Sequence, residues 1–274
     1  MRRALPALVL LAGLLVTPGR APRAQGNRAR VQKMVEGVTI KDHLGDTIPV
    51  DLPFVDHRGK AVNLKDWFDG RTPVLLTLNY YRCATLCTVQ LTEVVNGLKG
   101  LDWTIGGKFR MVTVSIDPRE DAELGRLKRQ SYLKHYGRGE VPWSFLTGKP
   151  DAIRRLADAV GFKYTYDAKT DQYIHVPAIF LLTGKGRLTR FLHGLRYPTR
   201  SLRFALIEAS EGRIGTVTDR VFMSCFHFNP EDGTYSAQAF GIMRLAGILI
   251  ALILGLTLTF LYLMDRFVWR KRHG

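Results

Sequence analysis

Two cysteines four residues apart, at the end of an apolar run, constrain this chain more than any other feature. Residues 75–91 read LLTLNYYRCATLCTVQL, in which a β-leaning segment delivers Cys83 and Cys87 into the start of a helix. Residues 72–78 have the length and bounding residues of a buried strand, and residues 88–98 carry Val89, Leu91, Val94, Val95 and Leu98 at helical spacing. Unpaired N–H groups and the helix dipole concentrate positive potential at such a junction, so one or both thiols are expected below the free-cysteine pKa of about 8.5. That would make them better ligands and nucleophiles. Two inert core cysteines are the bland alternative, but Asn79, Tyr80, Tyr81, Arg82 and Thr85 make the segment too polar for an ordinary core.

The two ends of the chain set its topology. Residues 1–26 combine a basic start (Arg2, Arg3), an apolar run from Ala4 and a Pro/Gly break, which reads as a signal peptide. Cleavage after Ala24 or after Gly26 stays open, as does an uncleaved anchor. Residues 245–264 carry no charge, enough for a helix to cross a hydrocarbon core of about 30 Å. A transmembrane helix is therefore expected over 242–264. Asp265, Arg266 and the cluster Arg270, Lys271, Arg272 follow it, which by the positive-inside rule puts a basic tail, 265–274, in the cytoplasm. An exported domain then stands outside the cytoplasmic membrane.

Of the net charge of +16, the ends account for half: residues 27–243 hold 31 Lys and Arg against 23 Asp and Glu. For an exported domain this charge reads as a solvated Arg-rich surface rather than a nucleic-acid site, and an anionic lipid or acidic docking partner is the next alternative. Three cysteines cannot all pair within one chain. A framework of structural bridges is thus excluded, and a CxxxC pair with one remote cysteine points to redox or metal chemistry.

Between the ends, 27–51 reads as an extended lead-in. Residues 52–64 form a hairpin turning at His57, Arg58, Gly59 and Lys60, with His57 a solvated turn residue. A strand over 108–116, a charged helix over 120–136, a short strand at 143–146 and a helix over 150–160 follow. Residues 173–183 and 188–192 make a second hairpin, and 199–209 a last helix. The expected class is α/β, a mixed sheet flanked by helices over 52–212. Segment 213–241 is loop-rich, with one strand expected at 221–228. There Met223, Cys225 and His227 would share a face opposite Phe222, Ser224, Phe226 and Phe228. Aromatic packing explains such a strand without a metal, although thioether, thiol and imidazole are all copper-competent.

Cys83, Cys87 and a histidine are the donor set of a copper-like site, because thiolates select Cu(I) and an imidazole completes a set that accepts Cu(II). His175, in a strand-like stretch just before Pro177, is the histidine best placed to join them. The chain resembles the Sco/SenC copper chaperones through Tyr81-Arg82-Cys83-Ala84-Thr85-Leu86-Cys87, Val114-Ser115-Ile116-Asp117-Pro118, and Tyr173-Ile174-His175 ahead of Ala178-Ile179-Phe180-Leu181-Leu182. That resemblance implies a thioredoxin-like fold, copper held by Cys83, Cys87 and His175, and delivery of copper to the dinuclear centre of cytochrome c oxidase subunit II or another copper-receiving exported protein. In place of the family's usual proline and acidic residue, the insert here is Ala84-Thr85-Leu86. The family's usual anchor is N-terminal, whereas the convincing span here is C-terminal. Such a protein is not chiefly a turnover enzyme. One alternative is a thiol-disulfide oxidoreductase in which one of Cys83 and Cys87 attacks and the other resolves. Another, a sensor signalling through the anchor, finds no receiver motif in the short tail.

Overall fold

The computed structural model describes residues 38–83, 86–211, 215–216, 218–219, 223, 226–229, 234–237 and 239–273. The expected signal segment, the first part of the lead-in and Cys225 lie outside the described residues. Seven strands form one mixed sheet in the order β2-β1-β5-β4-β3-β8-β9. These are β1 (Pro53–Asp56), β2 (Ala61–Asn63), β3 (Val74–Asn79), β4 (Arg110–Ser115), β5 (Trp143–Thr147), β8 (Ala178–Leu182) and β9 (Leu188–His193). Strands β3, β4 and β5 run parallel, as expected of units joined by helices, while β8 and β9 return antiparallel beside β3. This is the thioredoxin-like mixed sheet that the resemblance implies.

All six residues of β3 are buried, because both of its faces are covered. Leu75 points into one core with Met111, Ile179 and Leu181, joined by Leu91, Val94, Val95 and Leu98 of α1 (Leu86–Lys99). Val74, Leu76 and Leu78 point into the other with Val112, Val114 and Phe180, closed by Ile153 and Leu156 of α3 (Pro150–Ala159). Helices α2 (Ala122–Tyr136) and α4 (Thr199–Ala209) complete the first layer. Trp143 Nε1 donates to Thr113 Oγ1 at 2.9 Å, and Thr77 Oγ1 donates to the same oxygen at 2.8 Å, so these three buried polar groups satisfy one another.

The lead-in is tied down from residue 39 onward. Lys41 N donates to the Gly161 carbonyl at 2.8 Å and Ile48 N to the Gly186 carbonyl at 3.0 Å. Gly161, which ends α3, has a φ of 72°, and a Cβ there would sit 2.1 Å from the Lys41 carbonyl oxygen, so glycine is needed on both counts. His57, expected to be solvated, is instead half-buried, and its Nδ1 is shielded without a hydrogen-bond partner among the described residues.

Two expectations are corrected. Residues 173–183 are not one strand: they divide into β7 (Gln172–His175) and β8, broken at Val176 and Pro177. Pro177 has no N–H to extend a ladder, and its carbonyl accepts instead from Gly194 N at 2.9 Å. Strand β7 pairs with β6 (Tyr164–Asp167), a strand the sequence reading passed over, and together they form a separate two-stranded sheet. Of the strand expected at 221–228, the described residues give β10 (Phe226–Asn229), which pairs with β11 (Thr234–Ala237), while Met223 is helical. A capping box precedes it, with Thr216 N donating to Asp219 Oδ2 at 2.7 Å and Asp219 N to Thr216 Oγ1 at 3.1 Å. Met223 packs against the first core, so it does not share a strand face with His227.

The last helix, α5, runs unbroken from Ala239 to His273, and its stretch Ala246–Met264 is long and apolar enough to cross a membrane. It continues through 265–273, so the expected tail is helical too.

Candidate metal centre

The end of β3 leads through Asn79, Tyr80, Tyr81 and Arg82 to Cys83, and α1 then opens with Cys87 as its second residue. Both cysteines are buried, at 6% and 3% exposure, and no disulfide joins them. Cys87 N donates to Cys83 Sγ at 3.4 Å, so the first thiol accepts one of the orphan N–H groups of the helix start. Thr88 Oγ1 donates to the Cys83 carbonyl at 2.9 Å and fixes the loop from the helix side.

His175, the last residue of β7, brings Nε2 to 3.2 Å from Cys87 Sγ. Its Nδ1 lies 3.2 Å from the Val176 carbonyl, an arrangement in which Nδ1–H donates and Nε2 keeps its lone pair for the sulfur side. The ring rests between Phe162 and Tyr80, at centroid distances of 5.4 and 6.4 Å. Burial pushes the His175 pKa below the usual value, which keeps the imidazole neutral and able to act as a ligand. The three predicted residues thus meet through two contacts, Cys83 with Cys87 and Cys87 with His175. Among the described residues, no three acidic, His or Cys side chains already surround a single point, so a metal would draw these donors inward.

The expectation of acidic thiols fails at Cys87. Its hydrogen bond with Cys83 and then its burial push the Cys87 thiol well above the usual range, with the Cys83 charge adding to the rise. The helix terminus is outweighed because two sulfurs in contact do not readily ionise together in a dry pocket.

Several residues that hold the site were missed from sequence. Glu120, three residues beyond Asp117, is 5% exposed, and its Oε2 accepts from Tyr81 N at 2.7 Å and Ser115 Oγ at 2.5 Å. Its Oε1 accepts from Arg82 N at 2.7 Å, so one carboxylate pins the two residues before Cys83. Asn79 Nδ2 donates to Gln90 Oε1 at 3.0 Å, and Gln90 Nε2 to the Ala178 carbonyl at 2.8 Å. This buried chain ties the start of the cysteine loop to the strand that follows His175. An amide at 79, amid apolar neighbours, was the available signal, whereas Glu120, between Arg119 and Asp121, carried none.

The SCO1/SenC family profile matches residues 44–204. No curated protein sequence matches the chain. Among solved structures, one from Aquifex aeolicus VF5, described as a candidate electron transfer protein, is 24% identical with a TM-score of 0.53, covering 61% of this chain and 94% of its own. Arabidopsis thaliana ScoI with copper bound is 18% identical with a TM-score of 0.46, over 58% of this chain and 96% of that one. BsSco, described as a member of the Sco family of cytochrome c oxidase assembly proteins with a disulfide switch, is 22% identical with a TM-score of 0.47, over 63% and 98%.

Proposed function

The chain belongs to the SCO1/SenC family, and on that premise we propose that it is a membrane-anchored copper-binding chaperone. It takes copper at Cys83, Cys87 and His175 and passes it to cytochrome c oxidase subunit II or another copper-receiving exported protein. The observation that carries this reading is the approach of His175 Nε2 to within 3.2 Å of Cys87 Sγ, across 88 residues of sequence, beside a second buried thiol. Two thiols and a neutral imidazole are a soft, compact donor set that suits copper in both oxidation states. Binding releases the two thiol protons, so the raised Cys87 pKa makes uptake easier to reverse as pH falls. Copper is cargo here, and the chain's own work is to hold the sulfurs in one pocket and offer the third donor from a separate strand.

Helix α5 serves as the anchor. Its apolar stretch followed by Arg266, Arg270, Lys271 and Arg272 favours a single span of the cytoplasmic membrane with the domain on the outer side.

The full chain in detergent, reduced and freed of excess metal, is expected to hold one copper. His175→Ala should weaken Cu(II) by at least about tenfold, the lower end of what losing even a ligand's hydrogen-bond partner costs. Cu(I) should change much less, because two thiolates satisfy the softer ion. A wild-type chain that retains no copper against a weak chelator would refute the reading.

The contact between the two sulfurs also favours a thiol-disulfide reductase. That activity would show as rapid exchange with a dithiol client regardless of copper, with Cys83→Ser or Cys87→Ser trapping a mixed disulfide. Fast reduction by a chain that binds copper poorly would select this second reading.

A further inference from the structure

We propose that Arg119 is the positioning residue for His175, holding the β6–β7 hairpin where the imidazole reaches Cys87; this rests on the copper reading above. The hairpin is not hydrogen-bonded into the seven-stranded sheet, so side chains must fix its place. Arg119 lies just beyond β4 and divides its guanidinium between two carboxylates. Toward the body of the domain, Nε donates to Asp117 Oδ1 at 2.9 Å and Nη2 to Oδ2 at 2.8 Å. Asp117 is 1% exposed, and despite its burial the guanidinium holds this carboxyl below the usual range. Toward the hairpin, Nη1 donates to Asp171 Oδ1 at 2.7 Å and to Tyr166 Oη at 3.3 Å. The guanidinium also lies over the Tyr166 ring, 5.1 Å from its centroid.

The hairpin is shaped to meet this group. Asp171 has a φ of 52°, a left-handed turn conformation that aspartate adopts more readily than most residues with a side chain. Tyr166 Oη donates to Asp171 Oδ1 at 2.6 Å, and Tyr173 Oη reaches Asp117 Oδ1 at 3.4 Å, so three hairpin side chains converge on one cation and its partner. Asp171 sits at the tip and His175 at the open end, paired with Tyr164, about 13 Å away along the strand. The open end is fixed by the chain entering β8 and by Phe162 against the His175 ring. With the tip released, β7 is held only at that end and can twist about its own axis, so the direction in which the His175 ring faces Cys87 is no longer enforced. A latch of this kind acts on the third donor alone and leaves the two thiols in place.

Arg119 is 45% exposed on its side chain and Asp171 65%, so the pair itself adds little to global stability. Copper is therefore the informative readout. In the full detergent-solubilised chain, Arg119→Met and Asp171→Asn are each expected to lower Cu(II) affinity by about threefold or more, measured by competition with a chelator. Both should shift the Cu(II) absorption spectrum toward that of His175→Ala while leaving Cu(I) affinity near wild type, and Asp171→Asn, which keeps the buried Asp117 paired with Arg119, should also leave the metal-free melting temperature near wild type. Arg119→Lys, which keeps the charge but not the fork, should fall between. Neither change should weaken Cu(II) further in a His175→Ala background, because the effect runs through that ring. Wild-type Cu(II) affinity in both variants would overturn the latch, and so would an undiminished loss in the His175→Ala background. A His175→Ala chain that binds Cu(II) like wild type would instead overturn the copper assignment beneath it.

Discussion

Replacing Cys83 or Cys87 by alanine is expected to abolish tight Cu(I) binding, taking the reduced chain from about one retained copper to none in competition with a Cu(I) chelator. Each sulfur is buried beside the other, so binding by the first makes binding by the second intramolecular. Losing that chelation costs on the order of 10²–10⁴ in affinity. The imidazole left in contact with Cys87 is a poorer donor for the softer ion and does not restore it. The loss should be similar for both cysteines and larger than for His175→Ala. Equal Cu(I) retention in Cys83→Ala, Cys87→Ala and wild type would refute the assignment.

Glu120→Ala is expected to be the most damaging substitution outside the three donors. It removes a carboxylate that accepts from Tyr81 N, Arg82 N and Ser115 Oγ, and leaves the two backbone N–H groups short of partners in a segment where Tyr81 is 3% exposed, while Ser115 Oγ keeps the Asp117 carbonyl at 3.3 Å. The cost should be about 2–4 kcal/mol in denaturant unfolding, and the surviving fold should bind copper more weakly because the loop into Cys83 is no longer pinned. Glu120→Gln should lie between, since an amide nitrogen cannot accept from a backbone N–H. Burial holds the Glu120 pKa above the ordinary 4.5 despite these hydrogen bonds. Folding therefore favours its protonated form. Its contribution is full below that ordinary value and declines as pH rises through the raised folded-state pKa, so the gap between wild type and Glu120→Ala should narrow from acid toward neutral pH. A pH-independent gap, or a loss below 0.5 kcal/mol, would count against this role.

The strands and helices around the cysteines were legible because their patterns are unambiguous. The run before Cys83 is apolar without alternation, as a strand covered on both faces must be, and Leu91, Val94, Val95 and Leu98 mark one side of α1. The pairing of His175 with the cysteines was legible as a resemblance, but the element that delivers it was not. Tyr164-Thr165-Tyr166-Asp167 is too short and too exposed to read as a strand, and Pro177 was passed over as a break between β7 and β8. Around Met223, alternating aromatic residues suggested a strand, whereas the Thr216/Asp219 capping box, a signal present in the sequence, marks a helix start. The Cys87 pKa depends on the contact between two side chains, which spacing alone does not convey.

The separate sheet that carries His175 gives the centre two levels of permanence. A two-stranded hairpin is marginal by itself, while the cysteines are buried against the seven-stranded sheet and open only with a large part of the domain. In hydrogen exchange, the amides of β6 and β7 are therefore expected to open at a lower free energy than those of β3 and β4. The imidazole can then detach on the timescale of a local opening while both sulfurs stay in place. On the proposed copper reading, an ion held by all three donors would then be left on the two sulfurs without global unfolding, open to an incoming sulfur or nitrogen from an acceptor protein.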